Sequence, residues 1–222
     1  MNTIYPVILA VPDDKRNLSG KNRTLYLSRH ARDALEISAR KSRIHLSELL
    51  KDENGVPQPC GGNYWSLSHK PVYVAAVVAP ERIGIDIEEI RTCSESLFRK
   101  IADRREWGLA DTDKINTPTL PSTFKGEGWG GGEKREFLYN KFKLFFRYWT
   151  AKEAVLKSVG TGLKDLSKCK IAQIIDENSL AIDYMNKRWL IEHLFFNGHI
   201  ASINNGLYDI KWSVVRGQKI RR

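Results

Sequence analysis

The spacing of apolar and polar residues along the chain predicts two long helices and one short one. Segment 24–43 (TLYLSRHARDALEISARKSR) has apolar residues at helical spacing with arginines around them, which predicts an amphipathic, strongly basic helix. Segment 138–163 (LYNKFKLFFRYWTAKEAVLKSVGTGL) predicts a second helical run, closed by Gly160. Segment 94–108 (SESLFRKIADRREWG) predicts a shorter helix, with Ser94 as its N-cap.

Apolar runs without helical spacing predict strands. Segments 64–69 (YWSLSH) and 72–80 (VYVAAVVAP) read as strands, and the second leads through Glu81 into 83–88 (IGIDIE). We expect the second segment and IGIDIE to form an antiparallel pair joined by a short turn. Four more strands are predicted in the tail: LAIDYM (180–185), KRWLIEHLFF (187–196), HIASINN (199–205) and YDIKWSVV (208–215).

Segment 109–137 has neither pattern. It contains Pro118, Pro121 and five glycines between 126 and 132. We therefore expect a long flexible loop, which limited proteolysis should cut first, between Thr117 and Gly132.

A weak internal echo indicates two related halves. Segments 72–88 and 199–215 have similar apolar layouts. The sequence thus predicts an α+β protein of two similar halves, each a small, mostly antiparallel sheet packed with helices. We expect the N-terminal half to span residues 1–90 and the C-terminal half, which carries the flexible loop and the second long helix, to span residues 91–222.

Charge and cysteine content narrow the function. The 222 residues include 36 Lys and Arg against 26 Asp and Glu, a formal charge of +10, which favours partners that carry phosphate or carboxylate. The three cysteines lack a CxxC spacing, so neither a disulfide framework nor a thiolate zinc site is predicted. The sequence has no apolar window long enough to span a membrane and no signal-peptide pattern, so we expect a cytoplasmic protein.

The segment IGIDIEEI (83–90) places acids within an apolar strand. Asp86 and Glu88 are two positions apart, so on a strand both carboxylates point to one side. Because like charges repel, either one carboxyl stays protonated or a cation sits between them, and hard oxygen ligands without nearby His or Cys favour Mg²⁺. The alternative is an edge strand whose acids face water.

Two other segments carry candidate chemistry. Glu153 and Lys157 are spaced i and i+4 in the second helix, so they share a face, but an exposed ion pair would have the same spacing. The SLSH segment, ending at His69, enters the first strand, where a lone histidine is more often structural than catalytic.

Taken together, these segments resemble the phosphopantetheinyl transferase superfamily. Its hallmarks GxDxE and W(S/T)xKEAxxK are matched by GIDIE (84–88) and WTAKEAVLK (149–157), with GTGL (160–163) following and an SH pair upstream. The resemblance extends from about Ser66 to Leu163. The chain length is similar to that of the two-halved, monomeric type, which activates peptide and polyketide synthetases.

The resemblance implies an enzyme, a holo-[acyl-carrier-protein] synthase or 4'-phosphopantetheinyl transferase. Members transfer the phosphopantetheine arm of coenzyme A to a serine of an acyl or peptidyl carrier protein and release adenosine 3',5'-bisphosphate. The implied partners are coenzyme A and an acidic apo carrier protein, without nucleic acid or membrane. The implied active site lies in the cleft between the two halves.

The resemblance also implies roles for individual residues. Asp86, Glu88 and Glu153 would hold Mg²⁺, or Mn²⁺ in its place. Lys157, with Glu153 a catalytic residue, would contact phosphate or help deprotonate the serine. The residues implied at the nucleotide or its phosphates are Ser68, His69 and Lys152, with Arg29 and Arg32 as further candidates for the 3'-phosphate.

Two positions depart from the family pattern. Ser66 stands where relatives commonly have Asn, and Val56 stands where they have a basic residue. At least one phosphate contact must therefore come from elsewhere, with Lys51, Lys70 or the arginines of the first helix as candidates.

Two other functions are compatible with parts of the sequence. A protein of the same fold could bind coenzyme A or a carrier protein without turnover, although the presence of both Glu153 and Lys157 argues against it. A basic nucleic-acid-binding module would suit the charge and the aromatic residues near GEGWGGGEKREF (126–137), but would leave the acids unexplained.

Overall fold

The computed structural model describes residues 2–110, 131–206 and 208–215, with the backbone alone at 131–138. The protein is an α+β protein, as predicted. Its helices are α1 (Asp13–Arg16), α2 (Gly20–Ser42), α3 (Glu95–Ile101), α4 (Arg104–Gly108) and α5 (Gly131–Val159), with a 3₁₀ turn at Leu163–Asp165. Its strands are β1 (Thr3–Ile4), β2 (Val7–Ala10), β3 (Tyr64–His69), β4 (Tyr73–Ala79), β5 (Ile85–Glu89), β6 (Lys170–Ile174), β7 (Ser179–Tyr184), β8 (Lys187–Phe196), β9 (His199–Asn204), β10 (Asp209–Ile210) and β11 (Ser213–Val215).

The first sheet has the strand order β11-β2-β4-β3. Strand β11 runs parallel to β2, and the other pairs are antiparallel. Strands β1 and β10 form a separate short parallel pair. The strands predicted at 64–69 and 72–80 are thus confirmed as β3 and β4.

The second sheet has the order β5-β9-β8-β7-β6, and all its pairs are antiparallel. The four predicted tail strands are present, although the last is divided into β10 and β11. The predicted antiparallel pairing of the segment at 72–80 with IGIDIE is wrong. Strand β4 already has β2 and β3 on its two edges, so β5 crosses to the second sheet and pairs with β9.

The two sheets and the two long helices form four layers. Helix α2 packs on one face of the first sheet through residues such as Leu27 and Ala31, which meet Val74 of β4. The other face of that sheet meets Ile85 and Ile87 of β5 across a shared core. Helix α5 covers the opposite face of the second sheet. Strand β5 therefore lies between the first sheet and α5.

Each sheet includes one strand that lies on the other side of residue 90 in the sequence. Strand β5 precedes that position but belongs to the second sheet, while β11, near the end of the described chain, belongs to the first. Each echo segment, 72–88 and 199–215, thus begins in one sheet and ends in the other. The division into halves at 1–90 and 91–222 stays a prediction.

The short helix predicted at 94–108 is interrupted. It forms α3 and α4 instead, because Asp103 adopts an extended backbone and begins a new helix. The Asp103 side chain accepts hydrogen bonds from Arg105 N and Glu106 N, and the Glu106 carboxylate accepts one from Asp103 N, which completes a capping box. Ser94 is the N-cap residue of α3, as predicted.

Most of the loop predicted at 109–137 lies outside the described residues, as does most of the predicted cleavage segment 117–132. The loop boundary at 137 is wrong, since α5 begins at Gly131. Helix α5 ends at Val159 and is followed by Gly160 with a φ of 82°, as the sequence predicted. No helix in the described part of the chain combines the length and the apolar character needed to cross a membrane.

Candidate active site

Strand β5 buries its two acids. Asp86 is 1% exposed and Glu88 is 7% exposed. Ile85 and Ile87 point the other way, into the core between the two sheets. The alternative in which these acids face water is therefore wrong, and the carboxylates need polar or cationic partners inside the protein.

Helix α5 crosses β5 at a very close distance because of Gly84. A Cβ atom on Gly84 would lie 1.9 Å from the carbonyl oxygen of Ala154 and 2.7 Å from the backbone nitrogen of Ser158. A residue with a side chain cannot occupy this position without a backbone shift. The absent side chain lets α5 bring Glu153 and Lys157 against the acids of β5.

The Lys157 ammonium group binds β5 directly. Its Nζ donates to Asp86 Oδ1 at 2.7 Å and to the carbonyl oxygen of Ile85 at 3.2 Å, and it lies 3.8 Å from Glu153 Oε2. The Lys157 side chain is 30% exposed and that of Glu153 is 14% exposed. The pair at i and i+4 is thus not an exposed ion pair, and the closest carboxylate to Lys157 is on another element.

A second lysine neutralises Glu88. Lys70 Nζ, just after β3, lies 2.6 Å from Glu88 Oε1. Burial by itself would lower the pKa of Lys70, but the combined attraction of Glu88, Asp86 and Glu153 outweighs it and raises that pKa. Lys70 is therefore held in its charged form beside the acids.

Burial and neighbouring carboxylates raise the pKa of two of these acids, Glu88 and Glu153. Burial, and then the charge of Asp86, raises the pKa of Glu88 above its ordinary value. Burial and Asp86 likewise raise the pKa of Glu153 to about 7, against the opposing charge of Lys157. These groups form one electrostatic unit, which we call the carboxylate cluster: Asp86, Glu88 and Glu153.

Ser68 and His69 are divided between the two sides of β3. The Ser68 hydroxyl is buried and donates to Asp86 Oδ1 at 2.8 Å, so the structure places it on the carboxylate cluster. His69 is exposed at the end of β3. Partial desolvation lowers the pKa of His69, and the charge of Lys157 lowers it further, so the imidazole lies within the field of the lysines beside the cluster.

Lys152 lies elsewhere. Its side chain is 0% exposed, and its Nζ donates to Glu106 Oε1 at 2.6 Å and to the carbonyl oxygen of Ile101. The structure therefore does not bring Lys152 to the carboxylate cluster. Sequence reasoning missed its partner Glu106, which only the fold of α4 against α5 reveals.

Arg29 and Arg32 are on the outer layer. Both belong to α2, which packs on the face of the first sheet turned away from β5. A sheet therefore separates the backbone of α2 from the carboxylate cluster. The structure does not bring these two arginines together with Asp86.

An open cleft of about 610 Å³ adjoins the cluster. Three lysines line it, Lys51, Lys157 and Lys164, together with Thr161 and Gly162 after α5. Sequence reasoning had proposed Lys51 as a replacement for the missing basic residue at Val56, but it had not identified Lys164. Three ammonium groups in one cleft favour a ligand that carries phosphate or carboxylate.

The donor set of the cluster suits a hard divalent cation. Asp86 Oδ2 is buried and has no hydrogen-bond partner among the described residues. Because buried polar atoms are normally paired, this oxygen is available to bind a ligand. No group of three or more His, Cys, Asp or Glu side chains within the described ranges already converges on one point. Lys157 and Lys70 lie against two of the carboxylates, Asp86 and Glu88. The residues thus fit Mg²⁺ by chemistry, with two lysines close by.

Comparisons with known proteins agree with the motifs. The family model for the 4'-phosphopantetheinyl transferase superfamily matches residues 82–203, more than half of the chain, including all of β5 and α5. The curated protein 4'-phosphopantetheinyl transferase HetI, from Nostoc sp. (strain PCC 7120 / SAG 25.82 / UTEX 2576), is 34% identical over 114 residues. That match covers 50% of this chain and 38% of the relative's length. The chain therefore belongs to the 4'-phosphopantetheinyl transferase superfamily.

Proposed function

We propose that the protein transfers the 4'-phosphopantetheine arm of coenzyme A to a serine of an apo acyl or peptidyl carrier protein, releasing adenosine 3',5'-bisphosphate. The observation that carries this proposal is the convergence of the two family motifs. Glu153 and Lys157 of one motif meet Asp86 of the other, with Lys157 Nζ 2.7 Å from Asp86 Oδ1. Membership of the family supplies the reaction class.

The carboxylate cluster is the proposed metal site. Asp86, Glu88 and Glu153 would hold Mg²⁺, and the unpartnered Oδ2 atom of Asp86 supports this assignment. When bound, the cation neutralises charge on the diphosphate of coenzyme A. Lys157 lines the adjoining cleft and supplies further positive charge to the same diphosphate.

The transfer step forms one P–O bond and breaks another. The serine oxygen of the carrier attacks the phosphorus joined to pantetheine, and the bond from that phosphorus to the bridging oxygen breaks with its electron pair on the departing adenosine 3',5'-bisphosphate. The serine proton passes to a carboxylate of the cluster. We assign this role to Glu153, whose side chain is the most exposed of the three, at 14% against 1% for Asp86 and 9% for Glu88.

The lysine-lined cleft is the proposed place of the nucleotide. Two of its lining residues are Lys51, on the loop before β3, and Lys164, on the 3₁₀ turn after α5. Their charges suit the phosphates of coenzyme A. His69, at the end of β3, is the proposed neighbour of the 3'-phosphate.

We also propose the subtype and setting that the sequence suggested. These are a monomeric, two-halved transferase in the cytoplasm, with an acidic carrier protein as partner. The formal charge of +10 supports an acidic partner through long-range attraction.

Intact-mass measurement of a carrier protein tests the function. The chain is incubated with coenzyme A, Mg²⁺ and apo acyl or apo peptidyl carriers that a known transferase can modify. We expect a mass increase equal to one phosphopantetheine arm, with adenosine 3',5'-bisphosphate released. Tight binding of coenzyme A without any mass change would favour the binding-protein alternative, and a gel shift of oligonucleotides alone would favour the nucleic-acid module.

A further inference from the structure

The outer edge of β5 is closed by two serine side chains. Strand β5 pairs with β9 along one edge, and on its other edge the backbone N–H groups of Ile85 and Ile87 point towards β3. Ile85 N donates to Ser66 Oγ at 3.1 Å, and Ile87 N donates to Ser68 Oγ at 3.3 Å. Two serines two positions apart thus match two edge donors two positions apart, as the period of a strand requires.

This contact joins the two sheets beside the carboxylate cluster. Strand β3 is the edge of the first sheet and β5 is the edge of the second. Ser66 and Ser68 are 3% and 5% exposed, so both hydroxyl groups are removed from water. An unpaired, buried backbone N–H is costly, and these hydroxyl groups satisfy two of them.

Ser68 differs from Ser66 in one bond. Its single hydroxyl proton goes to Asp86 Oδ1 at 2.8 Å, while its lone pairs accept from Ile87 N. Lys157 donates to the same oxygen at 2.7 Å. Asp86 Oδ1 thus has two donors, and Oδ2 has none among the described residues.

We propose that Ser68 is a positioning residue that fixes the Asp86 carboxylate with Oδ2 directed to the metal site. The inference rests on the proposed function, because it assumes that the cluster holds a divalent cation. It gives Ser68 a role in orienting a ligand rather than in contacting the nucleotide. Hydrogen-bond partners of metal ligands commonly control metal affinity in this way, by fixing the orientation of the ligand.

Ser66 supplies a matched control from the same strand. It accepts the equivalent hydrogen bond from the β5 edge, and among the described residues it makes no hydrogen bond to a carboxylate. Replacing Ser66 by Ala removes the edge bond alone, whereas replacing Ser68 by Ala removes an edge bond and the bond to Asp86. The difference between the two variants isolates the contact with Asp86.

Mn²⁺ binding, followed by electron paramagnetic resonance without coenzyme A, measures the site directly. The proteins are wild type, Ser66→Ala, Ser68→Ala, Ser68→Thr and Asp86→Asn, with thermal unfolding recorded for each. We expect Ser68→Ala to weaken Mn²⁺ binding by roughly 10-fold or more. Ser66→Ala should stay within about 2-fold of wild type, and Ser68→Thr, which keeps a hydroxyl group, should recover most of the affinity.

The outcomes separate the two levels of the proposal. If wild type binds Mn²⁺, Asp86→Asn abolishes binding and Ser68→Ala binds as wild type does, the positioning role is wrong while the metal site stands. Equal losses of Mn²⁺ affinity in Ser66→Ala and Ser68→Ala would also overturn the positioning role, because the closed edge alone would then account for them. If Ser68→Ala does not fold, failure of folded Ser68→Thr to bind Mn²⁺ more tightly than Asp86→Asn would count against it. Absence of Mn²⁺ binding by folded wild type would overturn the metal site and the inference together.

Discussion

Lys157 on α5 and Asp86 on β5 form an ion pair of 2.7 Å although they are 71 positions apart in the sequence. The Asp86 side chain is 1% exposed and that of Lys157 is 30% exposed. The aspartate therefore meets the lysine inside the protein, while the lysine also faces the cleft. This asymmetry makes Lys157 the member of the pair that faces the proposed place of the nucleotide.

Replacing Lys157 by Met should reduce transfer far more than it reduces stability. The variant keeps most of the apolar stem but removes the charge that faces the diphosphate, so we expect a fall in kcat/KM of roughly 100-fold, as for loss of one electrostatic contact in a transition state. Steady-state kinetics with coenzyme A and an apo carrier provide the measurement. Lys168→Met, at a surface pair with Asp165, is the control and should keep normal kinetics. A Lys157→Met enzyme as active as the control would show that the lysine does not act on the substrate.

Gly84→Ala should destabilise the fold strongly. The new methyl group would lie 1.9 Å from the Ala154 carbonyl oxygen, which is backbone and cannot move aside alone. We expect a loss of about 1–3 kcal/mol or more in the free energy of unfolding. Gly108→Ala in α4 is the control, because its added methyl group meets nothing within 4 Å. Chemical denaturation that finds the two variants equally stable would contradict the close approach of α5 to β5.

Lys152→Met should cost stability through Glu106. The side chains of Lys152 and Glu106 are 0% and 3% exposed, so removal of the lysine leaves a buried carboxylate with only the more distant ammonium group of Lys170, at 3.6 Å. We expect a loss of about 3–5 kcal/mol in the free energy of unfolding. Lys211→Met, which removes an exposed partner of Asp209, is the control and should cost at most about 1 kcal/mol. Similar small losses in both variants would mean that the buried pair is not structural.

His193 should make the stability of the fold depend on pH. Thr150 donates to the carbonyl oxygen of Phe146, so it accepts from Ser202, which in turn accepts from His193 Nδ1. Nε2 is then a bare acceptor, and it has no hydrogen-bond partner among the described residues. Burial, with the charge of Arg147, holds the pKa of His193 well below its ordinary value. The folded protein therefore keeps this imidazole neutral.

The sign of the effect follows from that lowered pKa. The unfolded chain binds a proton at about pH 6.5 while the folded chain does not, so the stabilisation is complete above that pH and is lost as the pH falls below it. The slope contributed by His193 approaches about 1.4 kcal/mol per pH unit. Denaturation of wild type and His193→Gln between pH 7.5 and 5 measures it. The other ionisable groups of the adjoining cleft, Asp176, Glu177 and Glu192, are present in both proteins, so the comparison isolates His193. Equal slopes for the two proteins would contradict the neutral, buried imidazole.

Local patterns predicted the elements that carry the site. The alternation of Asp86 and Glu88 with isoleucines identified β5, and the spacing of Glu153 and Lys157 identified one face of α5. Both motifs are short and continuous, so their geometry follows from the periods of a strand and a helix. Gly160 likewise predicted the end of α5, because only a residue without a side chain adopts its backbone easily.

Contacts between distant segments were not predictable from those patterns. Lys152 stands beside Glu153 in the same motif, yet its side chain points towards α4. Successive residues on a helix face different sides, and Glu106 of α4 binds the lysine on that side. The pairing of β5 with β9 depends on β4 having both edges occupied, which is a property of the whole sheet. Ser66 departs from the family pattern in the sequence. In the fold, its hydroxyl group accepts a hydrogen bond from Ile85 N at the β5 edge.

The transfer rate of Glu153→Gln tests the central claim most directly. The substitution keeps the size of the side chain and removes the charge with which Glu153 serves the carboxylate cluster. The account predicts a loss of roughly 100-fold or more in the rate of phosphopantetheine transfer in saturating Mg²⁺, with the free energy of unfolding within about 1 kcal/mol of wild type. Glu177→Gln, at an exposed turn before β7, should transfer at the wild-type rate. Transfer by Glu153→Gln within a few-fold of wild type would contradict the claim that the carboxylate cluster is the catalytic centre.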